Sequence, residues 1–185
     1  MSNRFRIARG VLACMLAAAG GLAVARPANA VIIPPTVVIQ SYNSGLCVAA
    51  SGTYNGAPVV QTRCDANSTA QRWARIYVGG TWELLQNVAS VSTYPYVPMC
   101  MDVTDGVNAN RTKLQVWQCT NTSGMYWRFV DAYHGDPSYP LNVHTKIGTR
   151  CLDVPAASLE DGLQLQIYSC TTSTMNPAQL WAALA

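Results

Sequence analysis

The sequence predicts an all-β fold built from three pseudo-equivalent units, and three observations carry that prediction. Placing CVAASGTYNGAPVVQTRC (Cys47 to Cys64), CMDVTDGVNANRTKLQVWQC (Cys100 to Cys119) and CLDVPAASLEDGLQLQIYSC (Cys151 to Cys170) under one another gives cysteine pairs 17, 19 and 19 residues apart. Beyond each pair a tryptophan recurs, in QRW, MYW and QLW, at Trp73, Trp127 and Trp181, with a spacing of 54 both times. The intervening chain consists of short alternating runs separated by Pro, Gly, Asn, Ser and Thr, with no long helical period.

The first element is not part of that fold. Residues 1–30 read as a secretory signal peptide: Arg4, Arg6 and Arg9 precede the apolar run VLACMLAAAGGLAV, and Ala28, Asn29 and Ala30 supply the small residues of a cleavage site. A transmembrane anchor needs about twenty apolar residues, and Arg26 ends this run too soon. VLAC at Val11 to Cys14 resembles a lipobox, but there the apolar run precedes the cysteine and here most of it follows. Residues 31–36 (VIIPPT) read as a short extended tether, and 37–185 as one domain, long enough for a core of its own.

Removing the signal changes the charge. Of 12 basic residues, Arg4, Arg6, Arg9 and Arg26 leave, whereas all 9 acidic residues stay, so the mature chain carries 8 minus 9, a net −1. No Lys/Arg cluster remains to neutralise phosphate, which argues against nucleic acid as a partner.

Cys14 also leaves with the signal, and six of the seven cysteines remain. Six cysteines in an exported chain allow fifteen pairings. The repeat chooses among them, because equivalent units form equivalent bonds: Cys47 with Cys64, Cys100 with Cys119 and Cys151 with Cys170, each closing a loop worth about 3 kcal/mol. No CxxC spacing points to a metal site.

Within the units, LQVWQC and LQIYSC alternate. Leu114 and Val116, or Leu165 and Ile167, point to one face; Gln115 and Trp117, or Gln166 and Tyr168, point to the other, which displays an aromatic beside a polar neighbour. Gly56 and Gly162, each eight residues before its cysteine, mark turns into these strands, and the second unit has Arg111 at that position. STYPYVP (Ser92 to Pro98) and NVHTKIG (Asn142 to Gly148) read as loops.

Three units with Cys, Asp two residues on, a turn, a strand ending in Cys, and then Gln-x-Trp resemble the ricin B-chain type of lectin domain, which also occurs as xylan-binding modules of secreted bacterial enzymes. The resemblance spans Val37 to Ala185. It implies a β-trefoil: twelve short strands in a three-fold barrel with a hairpin cap, an intra-repeat disulfide in each unit and a potential sugar pocket in each. It also places Trp73, Trp127 and Trp181 in the core.

In that family the Asp after the first cysteine accepts hydrogen bonds from vicinal sugar hydroxyls and the aromatic before the second cysteine stacks on the sugar ring. A carboxylate suits charge-assisted bonds, and the C–H face of a pyranose suits a π-face. The carried-over carbohydrate-binding residues are Asp153, Gln166, Tyr168 and Gln179 in the third unit and Asp102, Gln115 and Trp117 in the second. The first unit has Ala49 and Thr62 at the Asp and aromatic positions, which implies scaffold. All three units depart from the family by lacking Asn directly before the Gln of Gln-x-Trp, where Ala70, Gly124 and Ala178 stand, and Met125 replaces the Gln itself in the second. Asn176 and Asn121 are the nearest amides. Galactose-containing glycans and xylan are the implied ligands.

Two blander readings stand beside this one. An Asp after a strand is commonly a turn residue capping local N–H groups, and a displayed aromatic commonly packs under a loop. The pairing of Asp with aromatic in two units, and their joint loss in the first, favours ligand contact. A non-catalytic β-trefoil contacting a protein partner through STYPYVP or NVHTKIG is the alternative. Enzyme chemistry has little support: only His134 and His144 follow the signal, near Asp136, with no HExxH and no GxSxG. The local acidic cluster of Asp153, Glu160 and Asp161 could be imagined as a glycosidase pair, but carboxylates in a short loop are usually just solvated. No cofactor is implied. Asn67, Asn110 and Asn121 begin Asn-x-Ser/Thr sequons.

Overall fold

The structure, a computed structural model, describes residues 35–92, 94–132, 140–171 and 176–185. These belong to the second of two units into which the chain divides, Ile33–Ala185. The expected export signal, His134 and Asp136 lie outside the described residues.

Twelve strands follow in order: β1 (Thr36–Ser41), β2 (Cys47–Ala50), β3 (Ala57–Thr62), β4 (Arg72–Gly79), β5 (Trp82–Asn87), β6 (Met99–Val103), β7 (Leu114–Gln118), β8 (Tyr126–Asp131), β9 (Leu141–Thr145), β10 (Arg150–Asp153), β11 (Gln166–Ser169) and β12 (Trp181–Leu184). The first and last strands of each unit form the wall. β1 pairs with β4, β4 with β5, β5 with β8, β8 with β9, β9 with β12, and β12 with β1, all antiparallel, so the six close on themselves. Closure leaves these strands no free edge. The middle strands form the hairpins β2–β3, β6–β7 and β10–β11. This is a β-trefoil.

The hairpins meet at one end through a bond repeated three times. Gly56 N–H donates to Val116 O (2.9 Å), Arg111 N–H to Ile167 O (2.9 Å) and Gly162 N–H to Gln61 O (2.8 Å). In each case the turn of one unit is tied to the second hairpin strand of another. All three turn residues have positive φ, 86° for Gly56, 72° for Arg111 and 83° for Gly162. Glycine enters that region freely, whereas a side chain there costs about 1–2 kcal/mol.

Trp73, Trp127 and Trp181 are wholly buried. Their indole N–H groups donate to Val48 O (3.0 Å), Met101 O (3.0 Å) and Leu152 O (3.2 Å), in each unit the residue after the first cysteine. Around them pack Ile39, Leu85 and Val143 from the wall and Leu114, Val116, Leu165 and Ile167 from the hairpins, the face that the alternation assigns to the interior. The disulfides join Cys47 to Cys64, Cys100 to Cys119 and Cys151 to Cys170, with Cα–Cα distances of 5.0, 5.1 and 5.0 Å.

Two boundaries differ from the sequence reading. Thr36 already belongs to β1, because Thr36 pairs with Ala74. Asn142 to Thr145, expected in a loop, lies in β9, where pairing with β8 overrides the weak local pattern. Among the described residues no helix is long and apolar enough to cross a membrane.

Trp127→Ala is expected to cost about 3–5 kcal/mol, since it empties the core and strips the Met101 carbonyl of its donor. Urea unfolding of the oxidised protein measures it; a loss below 1 kcal/mol would contradict the core role.

Candidate functional site

The hairpin registers decide which side chains share a face. Asp153 stands opposite Gln166 and Cys151 opposite Tyr168 across β10–β11. Directly opposed residues in an antiparallel pair lie on the same side of the ribbon, as do residues two apart on one strand. Asp153, Gln166 and Tyr168 therefore point together, and the spacing of Asp and aromatic from their cysteines is the spacing that achieves this. The second unit repeats the arrangement, with Asp102 opposite Gln115 and Cys100 opposite Trp117. In the first, Ala49 faces Val60 and Cys47 faces Thr62.

In the third unit these side chains border an open cleft of about 510 Å³, completed by Arg111, the turn Pro155–Ala157 and Asn176. Asp153 is only 4% exposed. Its Oδ1 accepts from Gln166 Nε2 (2.8 Å) and its Oδ2 from Gln179 Nε2 (3.1 Å). Burial pushes its carboxyl above the ordinary carboxylate range, opposed by the two amides and the nearby Lys113 charge. A desolvated carboxylate held by two neutral donors keeps a strong appetite for further donors. Tyr168 is half-buried at the edge of the same cleft.

Gln166 lies on the face predicted as displayed but is itself buried, because the amide forms the floor under the carboxylate. Gln179, carried over as a binding residue, has no exposed surface. Its Nε2 donates to Asp153 and to Ser169 O (3.0 Å), and its Oε1 accepts from Thr171 N–H (3.0 Å). With its hydrogen-bonding capacity so used it positions Asp153 from below. Gln71 makes the matching contacts in the first unit, to Arg63 O (2.7 Å) and from Asp65 N–H (2.8 Å), where no carboxylate exists to hold. The Gln of Gln-x-Trp is thus a backbone clamp first.

The second unit carries a smaller cleft, about 280 Å³, bordered by Asp102, Asp105, Gln115, Trp117, Gly124 and Met125. Gln115 Nε2 donates to Asp102 Oδ2 (2.9 Å). Burial again raises the carboxyl, reinforced by the Asp105 charge and opposed by Gln115 and the Val103 N–H. Met125 takes the place of the clamping Gln, its sulfur receiving the Thr120 N–H at 3.4 Å, so Asp102 lacks the second amide that Asp153 has. Trp117 is 40% exposed. A Cβ at Gly124 would sit 2.8 Å from Asp102 Oδ1, so any side chain there, the family's Asn included, requires the carboxylate to shift.

Of the two nearest amides, Asn176 reaches the third-unit cleft, although its Oδ1 also accepts from Ala178 N–H (3.1 Å). Asn121 borders neither cleft. Asp161 pairs with Arg63 (3.6 Å), away from the Asp153 amides. His144, Cys151 and Cys170 lie close enough together to suggest metal ligands, but the two sulfurs are bonded to each other. The sequence reading missed the roles of two residues. Val60 removes the amide partner from the first unit together with Ala49, and the opposed register was the signal that would have found it. Arg111 stands at the third-unit cleft rather than in its own, and only the packing of one hairpin on the next reveals that.

The model of the ricin-type β-trefoil lectin domain matches residues 35–127. The chain belongs to that family. The match covers the first two units through Trp127; the third joins them by the repeat and the trefoil closure. Among solved structures, a designed three-fold symmetric protein, ThreeFoil, is similar at 20% identity over 81% of this chain and 98% of its own, with a TM-score of 0.70. The ricin B-like lectin of Macrolepiota procera, solved in complex with lactose, is similar at 14% identity over 81% of this chain and 94% of its own, TM-score 0.62. An exo-β-1,3-galactanase from Clostridium thermocellum is similar at 22% identity and TM-score 0.69 over 80% of this chain but only 30% of its own. At these identities the likeness is one of fold. No curated protein matches the chain.

Gln179→Met, which copies Met125, is expected to leave the fold intact and to raise the Asp153 pKa further, since it removes a hydrogen bond that holds the carboxyl down. Carboxyl NMR titration of both proteins reads this; an unchanged or lowered value would contradict the positioning role.

Proposed function

We propose that this ricin-type lectin domain is a secreted, non-catalytic carbohydrate-binding protein that holds galactose- or xylose-containing glycans in up to two shallow clefts, the third-unit one principally. Asp153 receives vicinal hydroxyls, Tyr168 lies under the ring, and Gln166 and Gln179 orient the carboxylate. Asp102, Gln115 and Trp117 form the lesser site. The observation that carries the reading is joint: a buried carboxylate, its cross-strand amide and an aromatic occur together in two units and are all replaced, by Ala49, Val60 and Thr62, in the first. A structural requirement common to the fold would have kept at least one of them. Secretion is supported by residues 1–30 and by the six later cysteines, all of them in disulfides.

A second reading, a protein-interaction trefoil, is favoured by Ala70, Gly124 and Ala178 at the family's Asn position and by the exposed Tyr94 and Tyr96. Pull-down on a glycan array and on insoluble polysaccharides separates the two. The lectin reading expects retention by the oxidised protein and its loss, by tenfold or more, in the Asp153→Ala/Tyr168→Ala variant. No retention on any glycan by folded protein would turn the assignment to protein partners.

Shallow sites in the millimolar range, about −4 kcal/mol each, gain by avidity on a polymer. Polysaccharide is therefore expected to be retained far more strongly than the matching monosaccharide, and equal affinities would remove the two-cleft mechanism.

The raised carboxyls set a pH dependence. Ionised Asp153 accepts hydrogen bonds from hydroxyls, and protonation weakens that capacity, so retention is expected to fall on acidification, beginning above the ordinary value of 3.8. The contribution of the same group to stability runs the other way. Between 3.8 and the raised folded value the folded state holds the extra proton, so this contribution is full below 3.8 and is lost as pH rises through the folded value. Retention and thermal stability measured together across that interval check both signs; retention constant down to pH 3.8 would exclude ionised Asp153 as the acceptor.

A further inference from the structure

The two clefts share a scaffold but carry opposite charge at their rims. The second hairpin strand of each of these units receives the turn of another unit through the threefold bond from turn N–H to hairpin carbonyl. On the second unit that turn residue is Gly56, which is not part of the cleft lining and offers no side chain; the nearest atom to a Cβ placed there would be Gln115 Oε1 at 4.0 Å. At the third-unit cleft it is Arg111. Arg111 is exposed, and its guanidinium has no hydrogen-bond or ion-pair partner among the described residues. It also holds a positive φ, 72°, that both its counterparts satisfy with glycine. A side chain kept at a backbone position that disfavours one points to a use for that side chain.

The other rim differs in the opposite sense. Three residues after the carboxylate, Asp105 stands in the second unit and Ala156 in the third, both with left-handed backbone, φ 55° and 54°. The second-unit cleft therefore presents Asp102 and Asp105 with no lysine or arginine on its lining. The third presents Asp153 and Arg111, with Lys113 near enough to act on Asp153.

We propose that the third-unit cleft is selective for glycans carrying a carboxylate, of the uronic-acid class, with Tyr168 under the ring, Asp153 on its hydroxyls and Arg111 receiving the acid group. This rests on the carbohydrate-binding reading and extends it. A guanidinium meets a carboxylate through two parallel N–H donors, a geometry that a neutral hydroxymethyl cannot reproduce, so the acid group adds both attraction and orientation. The second-unit cleft, with two carboxylates, repels the same group and is left to neutral residues of the polymer. A chain with both kinds of residue engages both clefts.

The test compares immobilised glucuronoxylan and polygalacturonate with the same polymers after reduction of their carboxyl groups to alcohols. The oxidised protein is expected to be retained at least tenfold more strongly on one or both acidic forms than on the matching neutral form, a preference that weakens with added salt. Arg111→Gly, which restores the residue found in the other two units, is expected to bring the ratio to about one, and Arg111→Gln does the same while keeping an uncharged polar side chain at that position. Lys146→Gln removes an equal charge from a side chain that lies over the Tyr126 ring and does not line the third-unit cleft, and it leaves the ratio unchanged. A preference that survives both Arg111 variants, or that Lys146→Gln erases as well, overturns the assignment to Arg111. Retention on neutral forms without any acidic preference overturns the selectivity and leaves the lectin reading standing. Retention on none of the four polymers counts against both.

Discussion

The bond from each Gln-x-Trp indole to the carbonyl just after the first cysteine organises the rest of the molecule. Trp73, Trp127 and Trp181 belong to strands of the barrel wall, and Val48, Met101 and Leu152 to hairpins. A buried indole N–H has no alternative partner and cannot go unpaired without cost, so each tryptophan fixes where its hairpin sits on the barrel. The next residue along the hairpin is Ala49, Asp102 or Asp153. The core anchor and the cleft floor are thus adjacent in sequence, and the position of the carboxylate is inherited from the packing of the tryptophan.

Symmetry of this kind separates stability from function. The wall pairings, the anchors and the disulfides recur in every unit, while the residues facing the clefts are free to differ. The first unit uses that freedom to fill its hairpin face with Ala49, Val60 and Thr62. The second keeps a carboxylate but supports it with one amide, Met125 having replaced the other. The third keeps both amides. Burial raises both carboxyls, and the rise is opposed by one amide and the Val103 N–H at Asp102, and by two amides and the Lys113 charge at Asp153.

The cysteine, tryptophan and alternation patterns made the three units, the disulfide partners and the buried aliphatic face legible, because each depends on spacing within one unit. The pairing of Asp with aromatic was legible for the same reason. The role of Gln179 was not: a glutamine two residues before a core tryptophan reads equally as ligand contact or clamp, and its lack of exposed surface separates the two. Asn142 to Thr145 looked like a loop because β9 draws its order from β8 and β12, which local composition does not record.

By itself the sequence determined the repeat, and through it the fold class, the disulfide pairing and the unit in which site residues are missing. Tertiary structure decided which unit's residues meet at a cleft. Arg111 lies in the second repeat by sequence but at the third unit's cleft in space, because the turn N–H bonds across to Ile167. A contact between repeats leaves no trace in the periodicity of any one of them, so only closure of the three units around a common axis brings an arginine to the lining of one cleft and a glycine to the equivalent turn on the other unit.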